Sequence, residues 1–296
     1  MVAGLVASFV LFLREGLEAS LIVSILFAAL RQLGQLKQMR AVWIGIGLAV
    51  LASLGGGVVI YITIRKYDGS TFQTIFETIT YLVAVVLLTS MTFWLQSHTR
   101  SLKKDLVSQA SMAGSAFGLG LLAFFTVGRE GLETAVFSLA LAFQTSGLWP
   151  VLGALLGLAT SMVLCWLIYR LGYRLDFRIF FRVMGILLLV FAAGLLANAI
   201  QNMQELGWIS FGTVQLWNSA KFLSQDSTLG DILHVFIGYA EAPSVLQIAL
   251  YVGYLLIAGS IFARMTRKPP MRTPTTVPVP SDSISPAKSH SGAFGR

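Results

Sequence analysis

Seven long apolar runs leave this chain little choice of fold. They cover about 5–30, 41–64, 72–95, 111–143, 148–169, 179–200 and 245–263. An α-helix rises 1.5 Å per residue, so about 20 apolar residues cross the hydrocarbon core of a bilayer. In hydrocarbon every backbone amide must find its partner inside the protein, which a helix does within one segment. The expected fold is an all-α polytopic membrane protein with seven transmembrane helices. The fourth run is longer than a span requires, so its first residues belong at the interface or the helix tilts. Only 11% of residues are charged and 56% are hydrophobic, against about 25% charged in soluble domains. No stretch is left for a separate soluble domain.

Lys and Arg number 21 against 13 Asp and Glu, a formal charge of +8. The basic residues sit in short clusters between the runs, a pattern that sets topology and not one that binds nucleic acid. Arg31, Lys37 and Arg40 lie in the first connection, Arg100, Lys103 and Lys104 in the third, and Arg170, Arg174, Arg178 and Arg182 in the fifth. Arg264, Arg267, Lys268, Arg272, Lys288 and Arg296 follow the last run, while Arg65, Lys66 and Lys221 fall on the other side. The positive-inside rule then places the N-terminus outside and the C-terminus in the cytoplasm. Residues 1–4 offer no basic region of a cleavable signal peptide, so the first helix is expected to be kept. Residues 268–296 hold six of the eight prolines among Ser, Thr and Lys, a composition that cannot bury a core. The expected organisation is a seven-helix domain over 1–267 and a disordered cytoplasmic tail over 268–296. The domain holds a first repeat at about 5–95, a second at about 111–200, an outer segment at about 201–244 and a last helix at about 245–263. The lone cysteine, Cys165, lies in an apolar run, which excludes disulfide frameworks and thiolate metal sites.

The repeats are marked by a charged motif inside the membrane. Arg14-Glu15-Gly16-Leu17-Glu18 recurs unchanged as Arg129-Glu130-Gly131-Leu132-Glu133, an offset of 115 residues. The first copy lies on helix one, running inward, and the second on helix four, running outward. Helices one to three and four to six are thus expected as an inverted repeat, the plan of transporters that bind substrate near the midplane. Each copy places two Glu three positions apart, on one helix face, with the Arg four positions before the second Glu. The fifteen Leu, Ile, Val and Phe of 5–30 favour insertion by roughly 0.5 kcal/mol each, whereas three central charges cost about 3 kcal/mol each, so the two nearly cancel. The charges must face protein, water or an ion. Two Arg against four Glu leaves an excess of two negative charges. If the helices cross here, Glu15, Glu18, Glu130 and Glu133 form a carboxylate cage that needs a cation or protons, and Gly16 and Gly131 permit close approach. Buried ion pairs that only lock two helices would explain one copy; two copies with surplus negative charge point to function.

Oxygen-only ligation suits hard cations such as ferric iron, Mg, Ca or Mn, and accommodates ferrous iron. His98, His234 and His290 all lie outside the runs. A membrane di-metal oxidase would carry Glu-x-x-His, but Leu21 and Val136 stand three positions after Glu18 and Glu133.

At these residues the chain resembles the high-affinity iron permease family, the oxidase-linked iron transporters, whose hallmark is this motif in the first and fourth of seven helices. The likeness spans nearly the whole chain, including Gly238-Tyr239-Ala240-Glu241-Ala242-Pro243-Ser244 before the last helix. It implies a transporter and not an enzyme, with no cofactor, that imports iron ions across the plasma membrane, the inner membrane of a bacterium. Glu15, Glu18, Glu130 and Glu133 would handle the metal, with Arg14 and Arg129 as motif partners. It also implies an extracytoplasmic iron-oxidising or iron-binding partner protein. Alternatives are a permease for another heavy or divalent cation, such as lead or manganese, a membrane-embedded metalloenzyme or redox subunit, and a purely structural subunit. Fungal members carry Asp-x-x-Glu in the last outer loop, whereas here Asp231 is followed by His234. Glu77, Asp226, Asp231, His234 and Glu241 are candidates for gathering cations outside, and all are also compatible with ordinary solvated positions. Gly45, Gly47, Gly55, Gly56, Gly57, Gly153 and Gly157 are expected to serve helix packing, and Trp43, Trp94, Trp149 and Trp208 an interfacial aromatic belt.

Overall fold

Each apolar run forms one long helix in the computed structural model, which describes residues 2–32, 34, 36–67, 69–98, 108, 112, 115–145, 147–171, 177–219, 222–224 and 227–266. The order is α1 (Val2–Gln32), a 3-10 turn (Leu36–Gln38), α2 (Met39–Arg65), α3 (Thr71–His98), α4 (Ala116–Gln144), α5 (Trp149–Leu171), α6 (Phe177–Glu205), a short α7 (Thr228–Ile237) and α8 (Val245–Thr266). No strand occurs among the described residues; one isolated antiparallel bridge joins Gln215 and Ser244. The tail expected at 268–296, the basic stretch 99–107 and Asp226 lie outside the described residues.

Local chemistry sets the ends. Helix α4 starts at Ala116, where Ser115 caps it, its Oγ accepting from the Gly118 amide at 3.1 Å, which satisfies one orphan donor of the first turn. Helix α7 was not expected, although its signals are plain. Ser227 accepts from the Gly230 amide at 3.0 Å, and Gly238 closes the helix in the left-handed region at φ 71°, as C-capping glycines do.

Five helices, α2, α3, α5, α6 and α8, are long and apolar enough to cross a membrane by length and composition. Helices α1 and α4 are 31 and 29 residues long, and each carries the three charges of the motif.

The most extensive pairings are α1 with α5, α2 with α4, and α3 with α6. Exchanging α1 for α4, α2 for α5 and α3 for α6 returns the same set, so packing obeys the repeat that the motif announces. A β-carbon at Gly45 on α2 would fall on the Gly120 carbonyl oxygen of α4, and one at Gly153 on α5 on the Leu5 carbonyl oxygen of α1. Gly120 and Leu5 differ by the motif offset of 115, and Gly153 and Gly45 by 108. The same relation joins Gly16 against Ser161 and Gly131 against Ser53. Both pairs of helices run parallel, since contacts advance together from Leu5–Gly153 to Gly16–Ser161 and from Gly45–Gly120 to Gly131–Ser53.

The core gathers Ala3, Ala7 and Leu11 of α1, Phe137, Ala140 and Leu141 of α4, and the facing stretches of α3 and α6 around Leu88 and Leu195. A second cluster joins Leu26 and Leu30 to Val42, Leu119 and Ala123. The start of α1 thus meets the end of α4 and the end of α1 the start of α4, so the two motif helices cross antiparallel. The symmetry breaks at one seam: α3 packs directly on α4, whereas α7 is inserted against both α1 and α6.

Of the glycines expected to pack, Gly45, Gly153 and Gly157 do. Gly47, Gly55 and Gly56 meet nothing within 4 Å. Alanine at Gly55 should therefore raise helix stability by up to about 1 kcal/mol, while alanine at Gly45 or Gly153 lowers the melting temperature of the detergent-solubilised protein. Equal responses at the three positions would contradict this packing.

Candidate functional site

Helical spacing puts Glu15 and Glu18 of α1 on the face that meets α4, and Glu130 and Glu133 of α4 on the face that meets α1. All four are buried, none more than 6% exposed. One carboxylate oxygen from each of Glu15, Glu18 and Glu130 lies within 4.8 Å of the others, the only group of three or more potential metal-binding side chains among the described residues. Glu133 lies outside that grouping, tied to Arg129.

The two arginines, identical in sequence, differ in surroundings. Arg14 is 2% exposed and pairs with both Glu15 and Glu18, its Nε 3.0 Å from Glu18 Oε1. The Arg129 side chain is 49% exposed, donates from Nε to Glu133 Oε1 at 2.9 Å, and stacks its guanidinium 5.1 Å from the centre of the Trp94 ring. Trp94, expected in an aromatic belt, thus has a specific partner, and cation–π attraction steadies the exposed arginine.

Those pairings leave buried acceptors open. Glu15 Oε2, Glu130 Oε2 and Glu133 Oε2 have no hydrogen-bond partner. A buried carboxylate oxygen without donor or cation is costly, and three such acceptors lie on the two motif helices, as does the unpartnered Arg14 Nη2. Two buried serines back the motif glycines: Ser161 is 1% and Ser53 9% exposed, and Ser161 donates to the Leu158 carbonyl at 2.8 Å. Their symmetric placement was not read from the sequence, because α2 and α5 follow an offset different from that of the motif.

Of the described candidate outer residues, Glu77 lies on α3, Asp231 and His234 on α7, and Glu241 between α7 and α8. Glu77 is half-buried on α3 and accepts from Gln73 Nε2 at 3.0 Å. Asp231 lines a cavity of about 370 Å³ with Gly4, Gln144, Thr145 and Trp149. Its neighbour in sequence, His234, places Nδ1 2.8 Å from the Tyr239 carbonyl oxygen. Glu241 accepts from Ser224 Oγ at 3.2 Å and lines a separate cavity of about 480 Å³ with Glu205, Gln201, Gln204 and Gln247. The larger cavity, rich in amides, was not foreseen.

A bundle of long apolar helices with buried carboxylates at the crossing of two pseudo-symmetric helices fits one class, an integral membrane permease for a metal cation. The chain belongs to the iron permease FTR1 family, which matches residues 5–267. It is a transporter whose cargo is iron, not an enzyme. It is 41% identical over 261 residues to the ferrous iron permease EfeU of Shigella sonnei strain Ss046 and to that of Escherichia coli O157:H7, in each case over 86% of this chain and 94% of the relative. The ferrous iron permease EfeU of Yersinia pestis is 35% identical over 260 residues, 86% of this chain and 92% of the relative. No solved structure matches the chain.

Proposed function

We propose that the chain imports ferrous iron across the plasma membrane through a centre formed by Glu15, Glu18, Glu130 and Glu133. In this reading all seven long helices span the bilayer, with the N-terminus outside and the C-terminus cytoplasmic. The observation that carries it is the convergence of Glu15, Glu18 and Glu130 within 4.8 Å, with buried, unpartnered oxygens on Glu15, Glu130 and Glu133. The motif's excess of two negative charges equals the charge of one ferrous ion, and oxygen donors accept it. The names of the relatives support the ferrous form. The antiparallel crossing of α1 and α4 and the exchange-symmetric pairing support an inverted repeat, the plan in which the site lies where the halves meet. Arg14 and the four glutamates are buried at that crossing, which lowers the cost of inserting those helices. The resemblance adds an extracytoplasmic iron-oxidising or iron-binding partner, which would meet the chain at 201–244.

The test is uptake by purified protein in liposomes, with labelled iron kept ferrous by ascorbate or supplied as ferric citrate. Ferrous iron should accumulate at least about tenfold over protein-free liposomes, and a tenfold excess of manganese or lead should compete only partly. Faster accumulation of manganese or lead than of iron would reassign the cargo, and no metal uptake would remove the transport reading.

A further inference from the structure

The two motif copies are identical in sequence and differ in what the arginine holds. In the first copy the Arg14 guanidinium bridges Glu15 and Glu18, so an arginine of this motif is able to reach both of its glutamates from one helix. In the second copy Arg129 is ion-paired among the described residues with Glu133, Nε to Oε1 at 2.9 Å. Its guanidinium is drawn instead to the Trp94 ring, 5.1 Å from the centroid. Glu130, the counterpart of Glu15, thus has no arginine of its own copy. Its Oε2 is buried without a partner, and it groups with Glu15 and Glu18.

Trp94 reaches Arg129 because of the seam at which the repeat symmetry breaks. Helix α3 packs directly on α4, whereas α7 is inserted against α1 and α6 on the corresponding side. Ser90, Trp94 and Ser97 are spaced by four and three residues and share one face of α3, on which both serines are exposed and the tryptophan is half-buried. The Arg129 side chain is 49% exposed against 2% for Arg14. A guanidinium left half open is not tolerated against hydrocarbon. The ring, with the serines on its face of α3, gives the charge a place outside the glutamate group. Folded over Glu130 as Arg14 is over Glu15, the same guanidinium would set a fixed positive charge on the oxygens that an ion needs.

We propose that Trp94 is a positioning residue of the metal centre, which holds Arg129 aside so that Glu130 stays open to the cation. This role rests on the iron-transport reading and deepens it. Arg129 is then a tethered cation that competes with iron for Glu130, and the effect of Trp94 passes through it. Losing the ring therefore weakens iron affinity, and does so only while the arginine is present.

The test is the concentration dependence of ferrous iron uptake by purified protein in liposomes under ascorbate. Cation–π contacts shift an equilibrium by about two- to thirtyfold, so Trp94→Leu should raise KM about fivefold while Vmax stays within about twofold of wild type. Trp94→Phe keeps a ring face and should hold KM within about twofold. In an Arg129→Met background Trp94→Leu should leave KM where Arg129→Met alone puts it, since coupled residues are not additive. Equilibrium binding of ferrous iron to the detergent-solubilised variants should follow the same order, which reads affinity even where transport is slow. A wild-type KM in Trp94→Leu, a fall in Vmax at constant KM, or an equal rise in KM with and without Arg129 would each overturn the proposal. So would loss of accumulation in the membrane whenever the ring is removed, with or without Arg129, which would make Trp94 a packing residue. Failure of the transport reading looks different, because wild-type protein would then take up no iron.

Discussion

Glu15→Gln and Glu130→Gln are each expected to cut iron uptake by about 100-fold at low iron, with membrane levels matched to wild type. Each replacement keeps the size and shape of the side chain, so packing at the α1–α4 crossing is retained. What changes is the donor set: a neutral amide offers one weaker oxygen and turns an NH2 group where the ion would sit. Changes one shell further from a metal already cost 10- to 100-fold in affinity, and loss of a ligand from a group of three within 4.8 Å costs at least as much. Neither variant strands a cation, because Arg14 keeps Glu18 after Glu15→Gln and Arg129 keeps Glu133 after Glu130→Gln. Glu77→Gln and Asp231→Asn, by contrast, should leave more than half of the uptake, since neither belongs to the group that Glu15, Glu18 and Glu130 form. Labelled iron uptake in iron-starved cells measures all four. Normal transport by both centre variants would make the charges structural, and the site would have to be sought elsewhere.

Much of this arrangement is legible in the residues alone. A repeated motif at a fixed offset is visible by inspection, and three charges in an apolar helix force that helix to meet a partner. What the sequence hides is the relation of α2 to α5. Gly16 precedes Ser53 by 37 positions, but Gly131 precedes Ser161 by 30, so one fixed offset loses register after the first helix of each repeat. The few shared residues, Gly45 with Gly153 and Ser53 with Ser161, then look accidental until contacts pair them. Glycine count misleads for a related reason: a glycine that faces open space and one that meets a carbonyl oxygen look alike in sequence. The unequal settings of Arg14 and Arg129 could not be read at all, since burial is decided by neighbours distant in sequence, Trp94 among them.

That inequality predicts the largest effect on stability. Arg14→Met should prevent the protein from accumulating in the membrane, whereas Arg129→Met should accumulate at close to wild-type levels with reduced transport. Arg14 is 2% exposed and is the cation for both Glu15 and Glu18. Its removal leaves two carboxylates buried without compensation, and breaking a buried ion pair from one side costs about 3–5 kcal/mol, a large share of the 5–15 kcal/mol that typically separates folded from unfolded protein. Arg129 serves one carboxylate and is half exposed, so its loss can be offset by solvent, and only the placement of Glu133 suffers. The buried-charge argument also predicts partial rescue. Arg14→Met combined with Glu18→Gln strands one carboxylate in place of two, and should accumulate better than Arg14→Met alone although it transports no iron. Quantitative immunoblots of membrane fractions read all three variants. Equal levels for Arg14→Met and Arg129→Met would show that both arginines carry the same structural weight, and absence of rescue would show that Arg14 stabilises the crossing by packing and not by charge.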